Sequence, residues 1–236
     1  MQQAFTRDEL LVEAIATVGD LETLTNQVAL RLRHWAEPFY PEATKQVQSH
    51  VQLAQLIATK KQQDINNAYP QSMGVLLQSE DQHALQHFAN QLILLEAQKE
   101  QHQDYLKKLA QAVCPNTTQL TGPLIAAKLM AAAGSLKKLA FLPASTIQLL
   151  GAEAALFKHL MKKASCPKYG YLYMHPFVTN AGRKERGKRA RALADAISIA
   201  ARVDYFKGKP IAQQLLAKLN KRFSHEPKAN SRILEK

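Results

Sequence analysis

The spacing of apolar residues between Asp81 and Val113 constrains the fold of this chain more than any other feature. Four of them step along the chain by three, four and three positions: Leu85, Phe88, Leu92 and Leu95. After a lapse at Lys99, the same spacing returns and continues to Val113. Residues repeated at this interval lie on one face of a helix and form a continuous apolar stripe. The segment therefore predicts one long helix whose stripe must be covered by another helix.

Two further helices are predicted before this segment. The first runs from about Asp8 to His34, and the second runs from about Glu42 to Asn67. The second has apolar or small residues at spacings of four and three: Val47, Val51, Ala54 and Ala58. We expect this stripe to pair with the Leu85 stripe in an antiparallel two-helix hairpin, with a polar loop at 72–74. The alternative is that both helices pack into an ordinary bundle core.

The second half of the chain is predicted to be helical as well. Gly134 suits a helix C-cap, and Ser135 and Ser145 suit the N-caps of the helices that follow. A longer helix is predicted from about Glu185 to Phe206. We therefore predict an all-α fold. The predicted domains are 1–118 for the first helix and a coiled-coil hairpin, 119–224 for a compact helical domain, and 225–236 for a flexible basic tail.

Charge divides the chain into two unlike halves. The whole chain carries 31 basic and 19 acidic side chains, a formal net charge of +12. The first 118 residues hold 9 basic and 13 acidic side chains and the remainder holds 22 and 6, so the net charge changes from −4 to +16. Such polarity predicts a polyanionic partner for the basic half. The alternative is a soluble surface that happens to be positively charged.

The sequence does not predict a membrane span, a secretory signal, a disulfide framework or a metal site. No apolar run approaches the ~18 residues of a membrane-spanning helix, and no secretory signal follows Met1. Cys114 and Cys166 are too few and too far apart for a disulfide framework or a metal clip. His83 and His87 are four residues apart, but no third ligand accompanies them. We expect a reducing compartment, with no membrane partner, no metal and no cofactor.

Catalytic patterns are also missing from the sequence. The few carboxylates of the basic half are scattered, and no phosphate-binding loop, dinucleotide fingerprint or nucleophile–base spacing is present. A catalytic site would have to use Cys166, His159 or His175, and none of these has an evident orienting partner. We therefore predict that the protein is not an enzyme.

The start of the Glu185–Phe206 helix is the most concentrated basic segment. It contains six cations: Arg183, Lys184, Arg186, Lys188, Arg189 and Arg191. Cations at a helix N-terminus oppose the helix dipole, which costs stability unless an anion lies nearby. We expect a phosphate to be that anion, and we expect Arg186, Lys188 and Arg189 to be exposed. The alternative is a solvated basic face.

The second half of the chain contains a series of short motifs: GP at Gly122, AGSLKKLA from Ala133, PAST from Pro143, GAEAALFK from Gly151, KYG from Lys168, HP at His175 and RGKRARALADAISIAARVDYFKG from Arg186. Together these motifs resemble the Nop-domain family, which scaffolds box C/D guide-RNA particles and a related spliceosomal particle. The resemblance extends from about Arg7 to Phe223.

The resemblance implies a helical hairpin joined to a compact Nop domain. It implies a non-catalytic ribonucleoprotein scaffold that binds kink-turn guide-type RNA already held by a small ribosomal-protein-like partner. It also implies a homodimer or heterodimer formed through the coiled coil. The alternative is a protein-interaction or dimerisation module in which the hairpin is active and RNA binding is secondary.

The resemblance also implies which residues contact the RNA or its protein. Gly151, Ala152 and Glu153 match one family motif, while Ala154 replaces its lysine; Lys158 replaces an arginine in the next. Phe157 is expected either to stack on a terminal base pair or to lie in the core. The full set of expected contacts is Gly151, Ala152, Glu153, Phe157, Lys158, Lys168, Met174, His175, Arg183, Lys184, Arg186, Lys188, Arg189 and Arg191.

The segment TRDELLVEAIATV, residues 6–18, resembles the helix that follows the fibrillarin-docking α/β domain of archaeal box C/D scaffolds. The resemblance thus implies a natural short paralogue, or a piece of a longer protein, that does not recruit fibrillarin. The expected location is the cytoplasm in an archaeon and the nucleus in a eukaryote.

Overall fold

The structure, a computed structural model, describes residues 6–67, 69, 72–162 and 165–223. Across these ranges it contains helices and no strand, so the predicted all-α fold is confirmed. The helices are α1 (Arg7–Ala36), α2 (Pro41–Gln46), α3 (His50–Thr59), α4 (Gln62–Asn67), α5 (Ser79–Val113), α6 (Pro115–Thr121), α7 (Pro123–Ala133), α8 (Leu136–Phe141), α9 (Ala144–Leu149), α10 (Glu153–Lys162), a 3₁₀ turn (Tyr171–Met174), α11 (Pro176–Thr179), α12 (Arg186–Tyr205) and α13 (Ala212–Phe223).

The chain forms two compact units. One comprises Ala16–Asp104, and the other comprises Met1–Ile15 with Tyr105–Lys236. The predicted functional division after residue 118 stays a prediction, and the predicted tail at 225–236 lies outside the described residues.

The Ala16–Asp104 unit is built around the Leu85 stripe. Leu85 and Leu92 are fully buried, together with Leu32 of α1 and Leu53 and Ile57 of α3. α1 and α5 run antiparallel in this unit. The rings of Trp35 and Phe88 lie 5.8 Å apart, whereas residues 25–29 line a cavity together with residues 92–99.

The predicted continuous helix from Glu42 to Asn67 is wrong. It consists of three short helices, because Val47 and Lys60 adopt extended backbone and end α2 and α3. Ser49 caps α3 by accepting the backbone N–H of Gln52 at 3.4 Å. The Arg33 guanidinium donates to the carbonyls of Thr44, Val47 and Gln48 and so satisfies the end of α2. The long antiparallel partner of α5 is consequently α1.

In the other unit, α12 is the central helix. It packs against α6, α8 and α9, and its buried face is a run of small and aliphatic residues from Ala190 to Ala201. The predicted bounds of this helix are confirmed to within one residue. Alanines at this face let the helices approach closely.

Two of the three predicted caps are confirmed in this unit. Gly134 adopts φ +86° after α7, and Ser135 accepts the N–H of Lys138 at 3.2 Å to cap α8. The predicted Ser145 cap is wrong, because α9 begins at Ala144. Pro143, in extended conformation, supplies the carbonyl that receives the first helical N–H groups.

Candidate nucleic-acid interface

A tight turn at Gly151 connects α9 to α10. Gly151 has φ +85°, and a Cβ atom there would lie 2.7 Å from the Tyr171 ring, so the position requires glycine. Its N–H donates to the Glu153 carboxylate at 2.7 Å, and the Ala152 N–H donates to the Leu149 carbonyl at 2.9 Å. The predicted contacts Gly151, Ala152 and Glu153 thus form one hydrogen-bonded turn.

The segment 168–170, which precedes the 3₁₀ turn, is hydrogen-bonded to the end of α9 just before the Gly151 turn. Gln148 donates from its side chain to the carbonyl of Lys168 at 2.6 Å, and Gly170 donates to the carbonyl of Gln148 at 3.0 Å. A Cβ on Gly170 would lie 1.9 Å from the Leu150 carbonyl oxygen. The Lys168 side chain packs next to Gly187: a Cβ atom at Gly187 would lie 3.8 Å from the Lys168 Cδ atom. This segment therefore brings the Gly151 turn and the start of α12 together.

Arg186 is part of a stacked arrangement. The rings of Tyr169 and Tyr173 are nearly parallel, with centroids 5.0 Å apart, and the Arg186 guanidinium lies 5.4 Å from the Tyr173 ring. Arg186 also donates to the carbonyls of Thr179 and Ala181 at 3.2 and 3.1 Å. These bonds commit its planar donors to holding the loop before α12.

Arg189 is held in a similar way. Its guanidinium lies 5.2 Å from the Phe177 ring and 5.4 Å from the Phe223 ring. The prediction that Arg186 and Arg189 are exposed is wrong: both are half-buried, because aromatic rings cover them. Lys188 is exposed as predicted, and its Nζ atom lies 3.1 Å from the Glu185 Oε1 atom. The density of aromatic residues between Tyr169 and Phe177 was the available signal for these partners.

Four cations around the start of α12 are exposed: Arg183, Lys184, Lys188 and Arg191. Lys158 and Lys168 are exposed as well. Of these six described cations, only Lys188 is paired, with Glu185. The other five side chains have no hydrogen-bonding or ionic partner among the described residues: Arg183, Lys184, Arg191, Lys158 and Lys168. Cations left in water at a helix start remain available to an anion.

Helix α10 presents an apolar face to solvent. None of its described side chains is buried. Phe157, Leu160 and Met161 are 63%, 72% and 68% exposed. Phe157 is thus on the surface and not in the core, which leaves its ring face open to stacking. Large exposed apolar patches are typical of surfaces that bind a partner.

His175 and Met174 differ in environment. The Nδ1 atom of His175 accepts the N–H of Phe177 at 3.2 Å and caps α11. Burial lowers the pKa of His175, an effect opposed by its hydrogen bond with the Leu120 backbone, so its ring is neutral near pH 7. Met174 is 44% exposed, and its sulfur lies 3.8 Å from the Lys128 ammonium. His175 therefore has a structural role, whereas Met174 is on the surface.

Within the described ranges, no group of three or more His, Cys, Asp or Glu side chains is arranged to hold a metal ion. None of the helices in these ranges combines the length and apolarity needed to cross a membrane.

The sequence matches the model of the Nop family, described as "snoRNA binding domain, fibrillarin", over residues 17–225. The chain belongs to the Nop family. It is 37% identical to an uncharacterized NOP5 family protein of Methanocaldococcus jannaschii, over 92% of this chain and 56% of that protein. It is 38% identical to nucleolar protein 58 of Schizosaccharomyces pombe, over 86% of this chain and 43% of that protein.

A solved structure has the same fold. The crystal structure of a fibrillarin/Nop5p complex contains a chain that aligns with a TM-score of 0.60 at 24% identity, covering 92% of this Nop chain and 68% of that chain. This Nop chain spans about half the length of the curated relatives that it matches. The expectation that fibrillarin is not recruited finds no support, since the family description and the solved complex both name fibrillarin.

Proposed function

We propose that this Nop chain is a non-catalytic ribonucleoprotein scaffold that binds kink-turn, box C/D-like RNA together with a small kink-turn-binding protein. The observation that carries the proposal is the Lys168 segment. Its backbone is hydrogen-bonded to the Gly151 turn region, and its side chain reaches the start of α12. The ordered turn and the exposed cations therefore belong to one continuous surface.

The two kinds of surface suit a composite target. Arg183, Lys184, Lys188 and Arg191 contact phosphates, which position the scaffold on RNA without reading its sequence. The apolar face of α10 contacts the bound protein, and Phe157 stacks on the end of an RNA duplex. Because the cations and the apolar face bind different components, the preassembled RNA–protein complex binds more tightly than either component alone.

A segment of the Ala16–Asp104 unit supports self-association as a second function. Met73 and Leu76 are 89% and 74% exposed, yet the backbone around them is well anchored. Glu42 accepts the N–H of Met73 at 3.0 Å, and the buried Gln62 donates to the Val75 carbonyl at 2.7 Å. We propose that this unit forms the dimer contact, with a second copy or a related scaffold. The molar mass in solution distinguishes a monomer from a homodimer.

An electrophoretic mobility-shift series tests the RNA proposal. It compares RNA alone, RNA with the kink-turn protein, and RNA whose kink is disrupted by base changes. We expect strong binding only to the RNA that carries the kink-turn protein. Equal binding to all three would overturn the proposal and favour the protein-interaction alternative.

A charge-matched pair of variants sharpens this test. Reversal of Arg183, Lys184 and Arg191 to Glu removes three of the four exposed cations around the start of α12. Reversal of Lys45, Lys60 and Lys61, exposed in the Ala16–Asp104 unit, makes the same change in net charge. The first variant should lose assembly and the second should keep it. Equal loss would mean that net charge alone attracts the RNA.

The location that we propose for the protein differs between archaeal and eukaryotic cells. We propose the cytoplasm for an archaeal protein and the nucleus for a eukaryotic one. Immunolocalisation in the source cell tests this.

A further inference from the structure

Three aromatic rings meet on the surface where α8 and α12 end. Phe141 is the last residue of α8, and Tyr205 and Phe206 end α12. The Phe141 ring centroid lies 5.9 Å from that of Tyr205 and 6.3 Å from that of Phe206, in edge-to-face orientations. Phe141 and Phe206 are nevertheless 63% and 66% exposed. Each ring fixes its neighbours while leaving ring faces open to solvent.

Cations surround this aromatic cluster. Arg202 donates from Nε to the carbonyl of Ala140, the residue before Phe141, at 3.1 Å. Its two terminal nitrogens have no partner in the part of the chain that the structure describes. Lys137 precedes Phe141 by four residues and lies on the same helix face. The exposed cations of the two segments are Lys137, Lys138, Arg202, Lys207 and Lys209.

Carboxylates near the cluster are already engaged. Asp204 is buried, and both of its oxygens accept hydrogen bonds from Asn116 and Thr117. At the opposite end of α8, Asp8 accepts the N–H of Leu136 at 3.4 Å. The surface next to the rings is consequently basic, which complements a polyanion.

Lys207, which directly follows Phe206, is exposed where α12 ends. It has φ +52° and is the one non-glycine residue with positive φ among the described residues. Gly208 then donates to the Val203 carbonyl at 2.9 Å and closes the helix end. Glycine is the favoured residue at such a position, because side chains strain the left-handed backbone.

We propose that the Phe141–Tyr205–Phe206 cluster is a binding site for single-stranded RNA. Bases stack on the open faces of Phe141 and Phe206, and phosphates contact Arg202 and Lys207. Aromatic platforms flanked by cations bind single strands in this way with little sequence preference. A protein partner for the cluster would gain nothing from the surrounding cations unless it were acidic.

The site lies at the far end of α12 from the basic residues at its start. A helix of 20 residues is about 30 Å long, so one RNA can contact both ends. The inference rests on the proposed function in one respect, since the single strand is expected to be a continuation of the kink-turn RNA. The stacking itself requires neither the kink nor the kink-turn protein.

Fluorescence anisotropy with a labelled oligouridylate of about 12 nucleotides tests the site directly, since this length is within the range of known single-strand sites. The full chain is compared with the double variant Phe141→Leu/Phe206→Leu, which keeps apolar bulk and removes the aromatic faces. We expect about 5- to 100-fold weaker binding by the variant. Tyr105→Leu, which removes an exposed aromatic ring on α5, should bind like the unchanged protein.

Lys207→Gly provides a second readout. It removes one phosphate contact, so the slope of log affinity against log salt should fall by about 0.7. It also relieves backbone strain, so the melting temperature should rise while RNA binding weakens. A purely structural lysine would show the rise in melting temperature with no change in the salt slope, and this result would overturn the role of Lys207.

Full affinity of the leucine variant for oligouridylate overturns the proposal and would assign the cluster to an apolar protein contact. Equal weakening by Tyr105→Leu overturns it as well, because the effect would not belong to this cluster. Failure of the proposed function is visible separately, as binding of the unchanged protein to kink-turn RNA that ignores the kink. The two failures are thus read from different RNAs.

Discussion

Asn116 donates both its backbone and its side-chain N–H to one carboxylate oxygen of Asp204, at 2.9 and 2.8 Å. Thr117 donates its N–H and hydroxyl to the other oxygen, at 2.9 and 2.8 Å. The Asn116 side-chain oxygen in turn accepts the N–H groups of Ile211 and Ala212. Because these residues lie at the ends of α12, α6 and α13, one buried carboxylate joins three helices.

Replacement of Asp204 by Ala should destabilise this unit strongly. The change leaves buried N–H groups of Asn116 and Thr117 without an acceptor, at about 1–3 kcal/mol each. We expect a loss of about 3–5 kcal/mol in the free energy of unfolding, measured by urea denaturation. Asp195→Ala removes an exposed carboxylate from the same helix and should change stability by under about 0.5 kcal/mol. Similar stability of the two variants would show that the Asp204 network contributes little.

The cations of the α12 region should separate into two classes. Arg186→Ala and Arg189→Ala each remove a half-buried guanidinium that packs on aromatic rings, so each should lower stability by about 1–3 kcal/mol. Lys188→Ala and Arg191→Ala change exposed side chains and should leave thermal unfolding unchanged while weakening RNA assembly. Thermal unfolding and mobility-shift assays of the four variants check this. Equal melting temperatures would contradict the structural assignment of the two arginines.

Gly151→Ala should disrupt the turn that begins α10. Its Cβ would meet the Tyr171 ring at 2.7 Å, and its φ of +85° disfavours any side chain. We expect lower stability and lost assembly with the RNA–protein complex. Gly182→Ala is the matched control, because nothing lies within 4 Å of a Cβ there. A tolerated Gly151→Ala would show that the turn can rearrange freely.

Acidification should destabilise the protein through His175. Burial lowers the pKa of His175 below its ordinary value of 6.5, so the unfolded chain binds the proton more readily than the folded one. Its contribution to stability is complete above pH 6.5 and is lost as the pH falls below that value. His175→Asn keeps a capping oxygen for the Phe177 N–H without titrating. Unfolding measured across this range should be less dependent on pH for the variant, and identical profiles would exclude His175 as the cause.

Ala154→Lys should strengthen salt-sensitive binding to the RNA–protein complex. Ala154 is exposed on the first turn of α10 and stands where the Nop-family motif has lysine. One added phosphate contact should steepen the slope of log affinity against log salt by about one. Ala155→Lys, at an exposed neighbouring position, is the control and should have a smaller effect. An unchanged slope for Ala154→Lys would place this turn away from phosphate.

Several features of the fold and candidate site were predictable because they depend on residues close in sequence. The long helix α5, the Gly134–Ser135 cap pair and the bounds of α12 follow from spacings of three and four residues and from local capping. The break at Val47 was not predictable, because Arg33 satisfies the released carbonyls from another helix. The exposure of Arg186 was misjudged for the same reason.

The sequence by itself determined the helical class of this protein, its basic second half and its Nop-family membership, since these depend on periodicity, composition and ordered motifs. The tertiary structure alone decided which cations remain free. It placed Tyr173 against Arg186, left Phe157 in solvent and gathered Phe141 with Phe206. The reason is physical: a side chain's exposure and partners depend on residues distant in the chain, whose positions follow from helix packing.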